Sequence, residues 1–170
     1  MEENDGAHIL EQREILASLD REFARLHFRS IAIIETTPAP LLYVVAQPGL
    51  AELNSIGENV LRSAAVIEQT FGGLTANLWD DPFEWTLPEQ LSAPATVASH
   101  LLEVEETRKH AFTSFRDDSC LLKSVATPTH GLVSLIELLL KTLLRAMHFQ
   151  SQAVMALKVL SGISPSGFII

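Results

Sequence analysis

The stretch from Gly131 to Gly162, GLVSLIELLLKTLLRAMHFQSQAVMALKVLSG, is apolar on nearly every side of the helix that it predicts. A helix with so little polar surface is one that is buried on most sides. One narrow polar line follows it, in steps of three or four residues that keep side chains on one helix face. Its members are Glu137, Lys141, Arg145, His148 and Gln152. This line is therefore the first place to look for a function.

Three further segments with helical periodicity precede this stretch, and proline-containing connections separate them. They are predicted at about Ala7–Glu35, Ser55–Phe71 and Ser92–Phe115. The first is expected to end before Pro38, because proline restricts the residue before it and lacks an N–H donor. The second opens with Ser55 and Glu58 at the spacing of a capping box, and Gly72-Gly73 is expected to end it.

The order of these segments predicts the fold class. Strand signals are scarce, since no segment alternates apolar and polar residues over more than a few positions. The chain has 170 residues, 47% of them hydrophobic, which is enough for one domain with a sizeable core. We therefore predict an all-α fold over residues 1–170, an up-down-type four-helix bundle with short helical turns in the connections.

Charge and cysteine content exclude several function classes. The formal net charge is −9, so a nucleic acid backbone would be repelled rather than attracted. The single cysteine, Cys120, cannot form an internal disulfide or a multi-cysteine metal site. It lies beside Asp117 and Asp118, whose negative charge raises a thiol pKa. Cys120 is therefore expected to be a buried or inert residue rather than a nucleophile.

No export or membrane segment is predicted. The first residues, MEENDGAHILEQRE, are acidic and polar, whereas a signal peptide needs a basic start and an apolar run. The most apolar segment, Leu132–Met147, is interrupted by charged residues and is shorter than the roughly 20 apolar residues of a membrane span. We expect a cytoplasmic protein that contacts neither membrane nor nucleic acid.

The last helix is too apolar for a bundle in which each helix has one solvent-exposed face. A homodimer in which a second copy covers part of this helix is the natural solution. The alternative is that the chain covers the helix itself, with the turn at Leu41–Val45 and the tail Gly167–Ile170.

Three stretches in this order resemble the DinB/YfiT-like superfamily of bacterial four-helix proteins. They are SIGENVLRSAAVIEQ at 55–69, ASHLLEVEETRKH at 98–110 and LLRAMHFQSQAVMALKVLSGISP at 143–165. The resemblance covers most of the chain. It implies a DinB-like four-helix bundle and an activity of the metal-dependent transferase or hydrolase type, acting on a small thiol or a related substrate.

The resemblance also implies a site for a divalent metal, held by three histidines on the second and fourth helices. The matching positions here are Arg62, Arg145 and Phe149. Arginine offers only donors and phenylalanine has no lone pair, so the metal site is predicted to be lost and no cofactor is expected. His148 and Gln152 still match the family's polar run, and with these three they form the candidate ligand-binding site.

Two arginines inside a bundle need acidic partners, because desolvation of each ion costs several kcal/mol. A structural ion-pair network is one solution, with partners such as Glu58, Glu103, Glu106 or Glu137. A small anionic ligand, bound by bidentate guanidinium contacts beside an apolar wall at Phe149, is another. In a third case the arginines reach solvent.

Other chemistry-bearing residues give weaker signals. His100 and Glu103 have a spacing that bundle carboxylate sites use, but no second copy of the motif appears. The loop from Trp79 to Trp85 either forms the mouth of an apolar pocket or fixes a long connection to the bundle. Three function classes result: a ligand-binding bundle without a metal, a metal-dependent enzyme with unrecognised ligands, and a purely structural or interaction protein.

Overall fold

Four helices and one β-hairpin form the described part of the chain, which in the computed structural model comprises residues 12–46, 54–84 and 90–165. The helices are α1 (Glu14–Thr36), α2 (Ile56–Ala76), α3 (Pro94–Ser114) and α4 (Leu135–Ser161). The hairpin strands are β1 (Ser124–Thr127) and β2 (Gly131–Ser134), and 3₁₀ turns occur at Ala39–Leu41, Pro82–Glu84 and Asp118–Leu122. The mostly helical fold and the short helical turns in the connections confirm those predictions.

The helices pack in the cyclic order α1, α3, α2, α4. Two contacts show that α1 runs antiparallel to α3: Arg13 donates to the Phe112 carbonyl, and further along α1 Asp20 binds Arg108. In a bundle whose direction alternates with every helix, the first and third helices would be parallel. The up-down order is therefore corrected. A connection as long as residues 77–93 can run back along the length of a bundle, so consecutive helices need not reverse direction.

Three phenylalanines form the centre of the core where α1, α2 and α3 meet. The ring centre of Phe23 lies 5.1 Å from that of Phe71 and 5.8 Å from that of Phe112. The ring centres of Phe71 and Phe112 are 5.6 Å apart. Offset and edge-to-face pairs of this kind contribute about 0.5–1.5 kcal/mol each beyond their buried area. They fix how the three helices approach each other.

The predicted start of α2 is confirmed, but its predicted end is wrong. Ser55 accepts from the Glu58 amide, and the Glu58 carboxylate accepts from the Ser55 amide. The helix continues through Gly72-Gly73 to Ala76, and Asn77 ends it in the left-handed conformation at φ 56°. The glycine at 73 serves packing, because a Cβ there would lie 2.4 Å from an indole carbon of Trp79.

The segment before α4 also differs from the prediction. Gly131–Ser134 forms β2, which pairs antiparallel with β1 so that Val125 faces Val133. The helix then begins at Leu135, and Ser134 caps it by accepting from the Glu137 amide. Strands of four residues are too short to show alternation in sequence, which is why an all-α fold was expected. The predicted C-cap at Gly162 is confirmed, at φ 71°.

Cys120 is buried, as expected, and burial raises the pKa of its thiol, with a smaller contribution from Asp117. Three predictions fall on residues outside the described ranges: the first turn of helix one at residues 7–11, Trp85, and the tail at 167–170. Within the described ranges, none of the helices combines the length and apolar character that crossing a bilayer requires. The expected cytoplasmic location stays a prediction.

Candidate functional site

A cavity of about 590 Å³ lies between α2 and α4. The loop after α2 and the turn of the β-hairpin complete its walls. It is lined by Val66, Gln69 and Thr70 of α2, Trp79 and Asp81 of the loop, Thr127, Pro128, Thr129 and His130 of the hairpin turn, and Leu138, Lys141, Thr142, Leu144 and Arg145 of α4. Most of the lining surface is apolar, with polar groups at a few points.

Two buried threonine hydroxyls join the helices on either side of the cavity. The Oγ1 atoms of Thr70 and Thr142 are 2.7 Å apart, and Thr142 Oγ1 is also 2.9 Å from the Leu138 carbonyl oxygen. A carbonyl can only accept, so Thr142 gives its one proton there and Thr70 must donate to Thr142. The Thr70 oxygen keeps its lone pairs, which makes it a hydrogen-bond acceptor within an apolar surface.

The indole of Trp79 forms an aromatic wall, and three contacts hold it. Gln69 Nε2 donates to the Trp79 carbonyl at 2.7 Å, and the indole N–H donates to Asn77 Oδ1 at 3.0 Å. The ring packs on the helix surface that Gly73 leaves open. A side chain restrained in this way offers a flat apolar surface at little entropic cost to a ligand.

The charged groups of the cavity are predominantly cationic. Arg145 is exposed at the rim and, among the residues that the structure describes, takes part in no ion pair. Lys141 binds Glu137 at 2.7 Å, and His130 is exposed. The carboxylate of Asp81 accepts from the Phe83 amide at 3.0 Å. Arg145 is thus the cation with the most freedom to meet a ligand.

The two arginines of the predicted site lie in different surroundings. Arg145 lines the cavity, whereas the Arg62 guanidinium stacks 4.0 Å from the centre of the Phe83 ring. The Nε of Arg62 is buried without a hydrogen-bond partner in the described part of the chain. Three of the four carboxylates expected as partners bind other groups: Glu58 binds Ser55, Glu106 binds Lys109 and Glu137 binds Lys141.

The remaining predicted site residues lie further along α4 and do not line the cavity. His148 is exposed, and its Nε2 is 3.1 Å from Gln152 Nε2. Phe149 is half-buried, with its ring centre 5.6 Å from that of His148. The polar line therefore divides: Lys141 and Arg145 belong to the cavity, while His148 and Gln152 pair with each other outside it.

The side chains do not fit the metal that the family resemblance implies. The three matching positions hold Arg62, Arg145 and Phe149, which offer no lone pair to a cation. Within residues 12–46, 54–84 and 90–165, no three histidine, cysteine or acidic side chains are grouped as metal ligands.

His100 faces Glu68 of α2, with 3.8 Å between His100 Nε2 and Glu68 Oε2, a distance too long for a hydrogen bond. Burial raises the pKa of Glu68, and the neighbouring Glu103 raises it further, while His100 opposes both. Glu68 and His100 thus face each other from two helices, and within the described residues they belong to no group of metal ligands.

Sequence reasoning missed the most deeply buried charge in the described chain. Arg108 is 2% exposed and donates to both oxygens of Glu105 at 2.8 Å, and it also binds Asp20. Burial opposes its charge, but the hydrogen bonds to these carboxylates raise its pKa overall. The signal was available: Leu101, Val104, Arg108 and Ala111 follow the three-and-four spacing of a buried helix face.

Comparison with known proteins adds no relative, since no family model matches the sequence and neither the curated proteins nor the solved structures contain a significant match.

Proposed function

We propose that this chain is a divergent DinB/YfiT-like helical bundle that has lost its metal site and binds a small amphipathic anion in the cavity between α2 and α4. The observation that carries the proposal is the position of Arg145. It is a cation without an ion-pair partner among the described residues, at the rim of a mainly apolar cavity with an indole wall. Of the five residues predicted for the site, Arg145 is the one that lines this cavity.

The size and chemistry of the cavity support a ligand with a ring system and one acidic group. A volume of about 590 Å³ lies within the usual range for small-molecule sites. An aromatic or aliphatic body would rest against Trp79 and Leu138. A carboxylate, phosphate or sulfonate would accept two parallel hydrogen bonds from the Arg145 guanidinium.

The proposed family rests on the three sequence stretches at 55–69, 98–110 and 143–165 and on their order. The alternative function, a metal-dependent transferase or hydrolase acting on a small thiol, would need ligands other than Arg62, Arg145 and Phe149. His100 and His148 do not supply them, because His100 faces Glu68 and His148 pairs with Gln152. We also propose the homodimer expected from the sequence, supported by the exposed apolar residues of α4.

A matched pair of fluorescent probes tests the ligand proposal. 8-Anilinonaphthalene-1-sulfonate and N-phenyl-1-naphthylamine share their rings and differ in the sulfonate. Each would be titrated into the wild type, into Arg145→Gln and into Arg116→Gln. The last is a matched control, because the Arg116 side chain is 95% exposed and does not line the cavity.

We expect Arg145→Gln to weaken binding of the sulfonate probe by about tenfold, the equivalent of one charge-assisted hydrogen bond. Binding of the neutral probe should stay unchanged, and Arg116→Gln should affect neither. If Arg145→Gln lowers the affinity for both probes equally, or for neither, Arg145 does not recognise an anion and the proposal is wrong.

A further inference from the structure

A row of exposed residues, apolar except for Ser151, follows one side of α4. We call Leu140, Leu144, Met147, Ser151 and Met155 the α4 stripe; they are spaced by four, three, four and four residues, which places them on one helix face. All five are exposed, and Leu144 and Met155 expose 68% and 57% of their surface. Contiguous apolar surface of this kind marks an interaction site in a folded protein.

The turn at residues 41–45, which was considered as a cover for this helix, lies against α2. Leu42 is fully buried there, and its carbonyl accepts from the Gly57 amide at 2.7 Å. The ring of Tyr43 occupies the space where a Cβ of Gly57 would lie. Burial raises the Tyr43 pKa to about 12, with a smaller effect of Glu58. This turn therefore packs against the start of α2 and does not cover the α4 stripe.

A two-fold axis at a point between Met147 and His148 would bring the two ends of the stripe together. Reversal about that point exchanges Leu140 with Met155 and Leu144 with Ser151. It also exchanges the charged residues Glu137 and Lys158, both exposed, in the first and last turns of the helix. The apolar ends of the stripe and the two opposite charges thus exchange with each other, which suits a two-fold interface in which the same patch serves both subunits.

We infer that a second copy of the chain packs its α4 stripe antiparallel against this one, so that the partner's Lys158 lies opposite Glu137, whose half-exposed carboxylate also binds Lys141 of its own helix. The inference rests on the proposed homodimer and adds its interface and direction. Positions 137 and 158 are 158 − 137 = 21 residues apart, about 31 Å along the helix. An antiparallel pair thus has one ion pair at each end of the contact.

Charge complementarity decides the direction. A parallel pair would place Glu137 against the partner's Glu137, and Lys158 against the partner's Lys158, so both ends would repel. The antiparallel pair replaces both repulsions with attractions. The interface also borders the ligand cavity, because Leu144 belongs to the stripe and to the cavity wall.

A charge exchange between two variants tests the arrangement by sedimentation equilibrium. Glu137→Lys and Lys158→Glu should each weaken the homodimer by about tenfold, because each converts two surface ion pairs into repulsions. An equimolar mixture of the two variants should form a heterodimer about as stable as the wild-type homodimer. In that heterodimer both ends of the interface again join opposite charges.

The mixture also controls for folding, since a misfolded variant would not be rescued by its partner. A wild type that sediments as a monomer at high micromolar concentration would overturn both the homodimer and this interface. A wild-type dimer that neither charge reversal weakens would overturn the interface alone. A second measurement is oxidation of Met147→Cys in a Cys120→Ser background, which should give a covalent dimer, whereas Leu102→Cys on α3 should not.

Discussion

Removal of the Arg108 charge from the buried face of α3 should strongly destabilise the fold. Arg108 is 2% exposed, and Glu105, which it binds through two hydrogen bonds of 2.8 Å, is 6% exposed. The substitution Arg108→Met keeps a long apolar side chain in place and removes the charge. Glu105 would then be a buried carboxylate without its partner.

The expected loss is about 3–5 kcal/mol in the free energy of unfolding, the range found when one partner of a buried ion pair is removed. This is a large fraction of the roughly 5–15 kcal/mol that stabilises a domain. The double variant Glu105→Leu with Arg108→Met removes both charges and should recover most of the loss, because an apolar pair of similar volume has no desolvation cost.

The chain offers a matched control one residue further along the helix. Lys109 and Glu106 form an ion pair with the same three-residue spacing, at 3.0 Å, but on the exposed side of α3. Lys109→Met should leave stability unchanged within error, because exposed pairs are screened by solvent. Urea unfolding followed by circular dichroism measures all four proteins. The reasoning would be refuted if Arg108→Met lost less than about 1 kcal/mol, or if the double variant were no more stable than the single one.

Two further substitutions test the cavity wall and the partly buried Glu68. Gly73→Ala would place a Cβ 2.4 Å from the Trp79 indole. We therefore expect the free energy of unfolding to fall by about 1–3 kcal/mol, which is typical of overpacking, and the Trp79 emission to shift to the red in a Trp85→Phe background. An unshifted emission spectrum would contradict the packing described. Burial raises the folded-state pKa of Glu68. Its contribution to the free energy of unfolding is therefore favourable below the unfolded-state pKa, and this contribution is lost as pH rises through the folded-state pKa. Glu68→Gln should therefore raise the melting temperature by about 1–2 °C at pH 7 and leave it unchanged at pH 4, and calorimetry showing the opposite pH dependence would refute this.

The features of the fold that depend on residues close together in the sequence were predictable. The capping box at Ser55 and Glu58 and the cap at Gly162 are local, and the structure confirms them. The end of α2 was misjudged because Gly73 is explained by Trp79, which returns to the helix from a loop. The β-hairpin was missed because its strands are four residues long, too short for an alternating pattern.

The candidate site shows a similar division. Arg145 could be singled out from its position in the polar line of α4. The hydroxyl pair of Thr70 and Thr142 could not, because it depends on how α2 and α4 are aligned. Arg108 could have been found from its spacing with the apolar residues of α3.

The measurement that tests the central claim most directly is chemical-shift mapping by two-dimensional NMR during titration with 8-anilinonaphthalene-1-sulfonate. The account predicts that the largest shifts occur at the Trp79 indole N–H and at the amides of Thr142 and Arg145. Shifts concentrated instead at Met155, on the α4 stripe, or at Thr113, in the separate cavity between α1 and α3, would contradict it.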